Sequence, residues 1–334
     1  MHDQLGRCLQ DLRISVTDKC NFRCRYCMPI QFFHKKSFIQ YNKLLNFDEI
    51  IRIVYILYEL GLRKVRLTGG EPLIRKNISK LIMNIRKISI KIDIALTTNG
   101  YFLKNNIIDL KKSGLNRITI SLDSLNNNMF KHMTNTNIHV RHILLAIRMA
   151  NKLNFNPIKI NVLIQNINNN IKNIIDLIQF SLKSKNIVRF IEYMDVGTIN
   201  KWKKNNVINN NNILNTIKKK FWIIEKNKKK DDVSTQYYAI DLKKNNYCEL
   251  GVISSISKPF CDHCSRIRLS IRGLLYTCLF SISGIKFINN NNNILKKNVL
   301  NLWKNRKSQY SQNRSKYLKY KINNKKIEMF YIGG

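Results

Sequence analysis

The sequence predicts an α/β protein, a partial (βα)6 TIM-like barrel with a β-rich C-terminal extension. Three observations carry that prediction. Short β-branched runs alternate with helical periodicity through residues 12 to 194. The alternation fades after Gly197, and paired strand patterns around tight turns replace it at 237–280. The length of 334 residues allows one large domain or two unequal ones.

The expected strands are Leu12–Thr17, Lys64–Thr68, Lys91–Thr97, Arg117–Asp123, Lys159–Ile164 and Val188–Met194. Between them the clearest helical pattern is Asp48–Leu60, where Ile50, Ile51, Val54, Leu57 and Tyr58 recur on one face. Asp48 is placed to cap it and Gly61 to end it. Similar patterns cover 77–88, 105–113, 140–153 and 173–184. Six strand–helix units imply a parallel sheet with right-handed crossovers and chemistry at the carboxyl ends of the strands. A doubly wound open sheet has the same periodicity and is the competing architecture.

Residues 203–232, with Asn205–Asn206, Asn209–Asn212 and the Lys228–Asp232 charge run, read as a helix flanked by solvated loops. Tyr237–Leu242 pairs with Tyr247–Ile253, and Arg266–Ile271 with Leu274–Phe280 across a turn at Arg272–Gly273. An Asn run at 289–293 leads into a basic helical stretch, 294–318. The organisation is therefore a core at 1–200, a variable connection at 201–236 and an extension at 237–334.

The chain carries 59 Lys and Arg against 20 Asp and Glu, a formal charge of +39. Such a balance is an electrostatic footprint of phosphate binding and invites a nucleic-acid partner. The composition supplies another reason for it. Asn occurs 46 times and Ala 4 times, and Lys outnumbers Arg by 41 to 18. Lys, Asn and Ile have AT-rich codons, so drift in an AT-rich genome accounts for much of the charge, and nucleic acid is not required. A hydrophobic fraction of 44% excludes wholesale disorder. No apolar run of 18 residues is free of charges, which excludes a spanning helix. MHDQLGRCLQ has no apolar core of a secretory signal. The expected compartment is the cytoplasm, or the plastid stroma for an organelle-encoded chain. Eight cysteines in a reducing compartment point to metal or redox chemistry.

Cys20-Asn-Phe-Arg-Cys24-Arg-Tyr-Cys27 directly follows the first strand. Three thiolates within eight residues can wrap one small inorganic centre. Iron–sulfur cubanes take four cysteines, so three leave one iron open. The alternative is a structural zinc site completed by His34. Thr68-Gly69-Gly70-Glu71-Pro72 follows the second strand and Thr97-Thr98-Asn99-Gly100 the third, with Ser121-Leu-Asp123-Ser124 at the fourth. Paired glycines let a ligand approach bare backbone, and Pro72 keeps Glu71 extended. A second group, Cys261-Asp-His-Cys264 with Cys278, could be a zinc ribbon with Cys248 as fourth ligand. Arg13, Arg266 and Arg268 are guanidinium forks suited to phosphate, and the last two share one strand face.

The cysteine loop, Tyr26 before its last cysteine, and the Gly-Gly-Glu-Pro strand end resemble the radical S-adenosylmethionine superfamily. The second cysteine group, Ser265-Arg266-Ile267-Arg268-Leu269-Ser270, the segment around Cys278, and the closing Gly333-Gly334 are similar to the GTP 3′,8-cyclase family of molybdenum cofactor biosynthesis. The resemblance runs from about Asp11 through Cys278 and returns at the last two residues. It implies a barrel of the radical S-adenosylmethionine type with an extension carrying a second cluster. It also implies two 4Fe–4S clusters, one on Cys20, Cys24 and Cys27 and one on Cys261, Cys264 and Cys278. By the same resemblance Tyr26, Gly70, Ser121 and Met194 fall at positions contacting S-adenosylmethionine. Arg13, Arg66, Thr97, Lys159, Arg266, Ile267 and Arg268 fall at GTP-binding positions. Arg266, Arg268, Gly333 and Gly334 are the residues expected to support turnover. The implied reaction abstracts the C3′ hydrogen of GTP with a 5′-deoxyadenosyl radical and joins C3′ to C8, giving 3′,8-cyclo-7,8-dihydro-GTP.

The implied partners are a flavodoxin- or ferredoxin-like electron donor and, downstream, cyclic pyranopterin monophosphate synthase; a homodimer is possible for such a chain. Residues 203–232 and 287–320 carry no motif of the family. Asn135 stands where a glycine is expected after Thr134, and Asp195-Val196 where proline is expected. Two competing readings are a radical S-adenosylmethionine enzyme with an auxiliary cluster acting on RNA or a peptide, and a basic nucleic-acid-binding protein with two zinc sites.

Overall fold

The computed structural model describes residues 1–32, 44–227, 232–286, 291–319 and 326–334. His34, residues 228–231 of the charge run and residues 289–290 of the Asn run lie outside the described residues. β1 (Asp11–Ser15), β2 (Lys64–Thr68), β3 (Asp93–Thr98), β4 (Arg117–Ser121), β5 (Lys159–Ile164) and β6 (Ile187–Glu192) pair in parallel, each beside the next in chain order. That order decides between the two architectures. A doubly wound sheet reverses direction at a switch point, whereas an unbroken order keeps every right-handed crossover on one side. The helices therefore layer one face, and the other face is left to enclose a space.

The strands alternate as that arrangement requires. Leu12, Ile14, Val65, Leu67, Ile94, Leu96, Ile118 and Ile120 are buried in the apolar core. Their neighbours Arg13, Arg66, Thr97, Arg117 and Ser121 line a cavity of about 450 Å³. Residues from all six strands line it, so the sheet curves around it.

The helices are α1 (Phe47–Glu59), α2 (Ile78–Ile88), α3 (Leu103–Lys112), α4 (Asn127–Thr134), α5 (Arg141–Lys152) and α6 (Ile171–Ser184). The cap of α1 is Asn46 and not Asp48. Its side chain accepts from Glu49 N at 2.8 Å, and the Glu49 carboxylate accepts from Asn46 N at 3.1 Å, a reciprocal capping box. Asp48 sits in the first turn, where its charge favours the helix dipole. The short α4 has no counterpart among the expected elements, because three asparagines at its start hide the apolar face of Phe130 and Met133. Asn135 ends it in the left-handed conformation, with φ +47°, doing the work of the expected glycine.

Beyond residue 200, α7 (Asn210–Lys218) supplies the expected helix, and β7 (Trp222–Glu225) follows it unannounced. β8 (Thr235–Asp241) and β9 (Asn246–Ile253) form one hairpin, β10 (Arg266–Leu269) and β11 (Leu274–Tyr276) the other. Neither hairpin stands apart from the barrel sheet. β9 pairs in parallel with β6, and β10 in parallel with β1, so both edges of the barrel sheet are extended. β7 and the short β12 (Ile285–Lys286) pair antiparallel at the two outer edges. The expected stretch 294–318 divides into α8 (Asn292–Lys304) and α9 (Arg314–Lys319), and α10 (Met329–Ile332) closes the chain. Among the described residues no helix is long and apolar enough to cross a membrane.

Candidate active site

The loop that carries the first cysteine triad is gripped by the carboxyl ends of β2, β3 and β4. A Cβ on Gly69 would stand 2.3 Å from Thr17 O and one on Gly70 2.3 Å from Lys19 O, so only glycine lets the end of β2 approach the loop. Gly70 N donates to Thr17 O at 2.7 Å and Glu71 N to Lys19 O at 2.8 Å. The buried Glu71 carboxylate accepts from Thr98 Oγ1 and Asn99 N, both at 2.7 Å, and burial pushes its pKa up to about 7. Asn99 Nδ2 donates to Asn21 Oδ1 at 2.8 Å. Tyr26 OH donates to Asp123 Oδ2 at 2.8 Å, while Leu163 N holds the other oxygen at 2.8 Å. Burial raises Asp123 to about 6. From the outside, Thr134 O and Met133 O of α4 accept from Arg23 N and Arg25 N. Tyr26, Gly70, Ser121 and Met194 all line the cavity beside this loop.

Burial and then Glu71 push the Cys20 thiol up to about 11; burial and mutual repulsion raise Cys24 and Cys27 as well. Three such thiols ionise together only with positive charge among them, which is what iron in a cluster supplies. The donor set fits that group.

The second triad sits at the other end of the strands. Arg266 pairs with Asp11 at the start of β1, and Gln10 N and Asp11 N both donate to Ser265 O, so Cys264 lies at the amino end. The first triad follows the carboxyl end of β1. The length of β1, roughly 16 Å for five extended residues, separates the two along the strand direction. Arg7 Nη1 donates to Cys261 O at 3.0 Å and Arg306 Nη1 to Cys264 O at 2.6 Å, with buried Asp3 paired to both arginines. Burial raises the Cys264 thiol, but Arg266 and Arg306 overcome it and hold the pKa down to about 6. All six cysteines of the two triads line the one cavity.

Cys248 does not join them. It is buried in β9 with its Sγ 4.0 Å from Ile178 O of α6, outside the cavity lining, so a ribbon with Cys248 as fourth ligand is not formed. Cys8 stands 3.0 Å from His2 Nε2. Among the described residues no three His, Cys, Asp or Glu side chains form a cage for a single metal ion.

Between the triads the cavity wall is cationic. Arg268, Arg13 and Arg66 lie side by side in register on β10, β1 and β2; one step toward the amino end come Arg266, Asp11 and Lys64. Burial, with Arg268 and Arg266 nearby, pushes Arg13 well below the guanidinium range. Burial lowers Lys64 and Lys159 to about 7 and Arg189 to about 9. Asp11 stays below the usual carboxylate value because Arg13, Lys64, Arg66 and Arg266 outweigh its burial. Arg66 Nη1 donates to Thr97 Oγ1 and Thr119 Oγ1 at 3.1 Å. Arg13 Nε and Arg66 Nε are buried without a hydrogen-bond partner. Buried cations in such excess call for an anion that the protein does not itself supply.

Gly333 and Gly334 reach this wall. Arg268 donates to Gly333 O, Thr68 Oγ1 donates to Gly334 O at 3.3 Å, and Ser15 Oγ donates to Phe330 O. Gly333 has φ +74°, and a Cβ there would press Thr68 and Arg13 at 3.1 and 3.3 Å. Ile267 contributes no side chain to this wall: it is fully buried in the apolar layer on the opposite face from Arg266 and Arg268, as strand alternation demands.

Comparison with known proteins decides the family. Residues 14–180 match the Radical SAM superfamily and residues 186–312 match Molybdenum Cofactor Synthesis C. The GTP 3′,8-cyclase of Staphylococcus epidermidis is 42% identical over 347 residues, covering 100% of this chain and 99% of its own. That of Aquifex aeolicus is 41% identical over 334 residues, covering 99% of each. The chain belongs to the GTP 3′,8-cyclase family. Among solved structures, Streptococcus suis SuiB bound to S-adenosylmethionine superposes with a TM-score of 0.64 at 17% identity, over 92% of this chain and 68% of that one. SuiB bound to its precursor peptide SuiA gives 0.65 at 15%, over 90% of this chain and 65% of that longer one. Both likenesses concern the fold.

Measured against the structure, the sequence reading of this cyclase missed Asp11, Lys64, Arg117 and Arg189 on the cavity wall. A signal was available. Each is a charged residue on the polar phase of an otherwise apolar strand, two residues from another inward position. Asp3, Arg7 and Arg306, which brace the second triad, gave no such signal, because Arg7 and Cys261 are 254 positions apart.

Proposed function

We propose that this chain converts GTP to 3′,8-cyclo-7,8-dihydro-GTP in molybdenum cofactor biosynthesis, binding the nucleotide between its two cysteine triads. The supporting observation is one cavity with a triad at each end of the strands and a cationic belt between them. Cys20, Cys24 and Cys27 would hold one 4Fe–4S cluster and Cys261, Cys264 and Cys278 the other. Once reduced by an external donor, the first cluster would supply the electron for reductive cleavage of S-adenosylmethionine, the source of the radical chemistry at C3′.

The chain's own residues do the rest. Tyr26, Gly70, Ser121 and Met194 border the space for S-adenosylmethionine, and Asp123, which lines the same cavity, offers a carboxylate to its positive groups. Arg13, Arg66, Arg266 and Arg268 present donors to the triphosphate, with Lys159 as a point charge and Thr97 orienting Arg66. Gly333 and Gly334 occupy the wall beside Arg268 and Thr68 and exclude water from that side. A flavodoxin- or ferredoxin-like donor would deliver electrons, and cyclic pyranopterin monophosphate synthase would take the product. The cytoplasm, or a plastid stroma, is the compartment consistent with this chemistry.

Anaerobic reconstitution with iron and sulfide, then reductant, S-adenosylmethionine and GTP, tests the assignment. It requires about eight irons per chain and 5′-deoxyadenosine formation that depends on reductant, with GTP consumed. About four irons, or turnover indifferent to GTP, would overturn it.

A further inference from the structure

The tail that carries Gly333 and Gly334 enters the cavity past a buried ionic node centred on Asp195, which borders the second triad through Phe280, whose backbone hydrogen-bonds the Cys278 thiol. Asp195 lies three residues beyond β6, beside Met194, and is 3% exposed. Its Oδ1 accepts from Arg314 Nε at 2.9 Å; its Oδ2 accepts from Tyr310 OH and Lys326 Nζ, both at 2.7 Å. Lys326 Nζ also donates to Asp195 O at 2.9 Å. The Tyr310 ring stacks on Phe280 with centroids 4.2 Å apart, and Arg314 and Lys326 both lie over that pair. Two residues beyond Lys326, the Glu328 carboxylate accepts from Thr198 N at 2.8 Å, Thr198 Oγ1 at 3.1 Å and Ile199 N at 3.2 Å. The loop after β6 thus fastens the tail at two successive points. Gly197 lies directly under the second; a Cβ there would fall 2.0 Å from Glu328 Oε2.

The chemistry makes Asp195 the key of this node. Its carboxylate is the acceptor that lets two cations, one on α9 and one at the root of the tail, sit together away from water. Proline, expected at this position, offers no such acceptor. Without the carboxylate, Arg314 and Lys326 repel each other, and the tail loses its first attachment before it reaches Arg268.

We propose that Asp195 is a positioning residue: it latches the C-terminal segment so that Gly333 and Gly334 stay beside Arg268 and Thr68, and it acts on turnover only through them. This rests on the role proposed above for the Gly-Gly tail.

The test uses the reconstituted full chain with Asp195→Asn and, should that variant fold poorly, Lys326→Met, which leaves Asp195 paired with Arg314. Hydrogen exchange is followed at residues 329–334 and steady-state kinetics in GTP. Both variants should exchange faster across that segment while iron content holds. Their kcat should fall about tenfold or more with KM for GTP little changed, the signature of a misplaced group. In a chain lacking Gly333 and Gly334, the same substitutions should cost nothing further, because a shared route makes the losses non-additive. Unchanged exchange, or losses that multiply with the truncation, would overturn the latch. If the wild-type chain failed to cyclise GTP, the exchange result would still decide the latch, separating its failure from that of the functional reading.

Discussion

Around Cys20, Cys24 and Cys27 the ionisable neighbours include two buried carboxyls, Glu71 and Asp123; around Cys261, Cys264 and Cys278 they are arginines, Arg266, Arg268 and Arg306. The ligand chemistry is the same at both ends and the field is opposite. Burial drives the thiols of the first triad away from ionisation, whereas two guanidiniums draw Cys264 down to about 6. The difference teaches what each end is built to accept. The acidic end suits a ligand with positive groups, such as a sulfonium and an ammonium. The basic end stabilises the Cys264 thiolate, although burial still raises Cys278, and leaves charge over for an anion, so the cavity is polarised along the strands.

The sharpest way to break this comparison is to delete one ligand at each end. Cys24→Ser should reduce 5′-deoxyadenosine formation to background and lower iron to about four per chain. Cys264→Ser should lower iron equally, keep the reductant-dependent cleavage of S-adenosylmethionine, and abolish GTP cyclisation. A Cys264→Ser enzyme that cyclised GTP normally would erase the functional distinction between the ends.

A smaller effect probes the belt between them. Arg13→Met removes one buried guanidinium from a row of three and should raise KM for GTP by about 10- to 100-fold, the weight of a charge-assisted contact. The affinity for S-adenosylmethionine should be unchanged.

The pH dependence follows from Lys64 and Lys159, which burial holds at about 7. In the empty cavity both are largely neutral above that value, and a phosphate beside them favours the protonated form. Binding therefore takes up protons, and GTP affinity should weaken as pH rises from about 7.5 to about 9. Calorimetry in buffers of different ionisation enthalpy reads the uptake directly; proton release would contradict it. The smallest expected change is Asn135→Gly, where α4 meets the first cysteine loop. It relieves a non-glycine left-handed residue and should stabilise the protein by about 1 kcal/mol or less in denaturant titration.

How much of this was legible depended on sequence distance. The triads, Arg13 and the Gly-Gly strand end stood out because each lies in or within a few residues of a strand, whereas Arg66 came only from the family resemblance. The inward charges Lys64 and Arg189 obeyed the same rule but stand in no motif that singles them out. Arg306 could not be found that way: it lies two residues past the end of α8 and meets Cys264 only through the folding of the whole extension. Edge strands β7 and β12 were missed because they are short and exposed, so no buried phase marks them. The parallel docking of β9 and β10 onto the barrel sheet is likewise a property of the closed fold, since a hairpin pattern carries no record of its outer neighbour.

The row formed by Arg268, Arg13 and Arg66 has a consequence beyond catalysis. Three like charges on adjacent strands, about 4.8 Å apart, oppose the very pairing that builds the wall. An anion seated against them removes that strain, so ligand occupancy and folding are thermodynamically linked. Under the proposed assignment, the lifetime of the protein in the cell would follow its nucleotide supply, with turnover by proteases fastest when GTP is scarce.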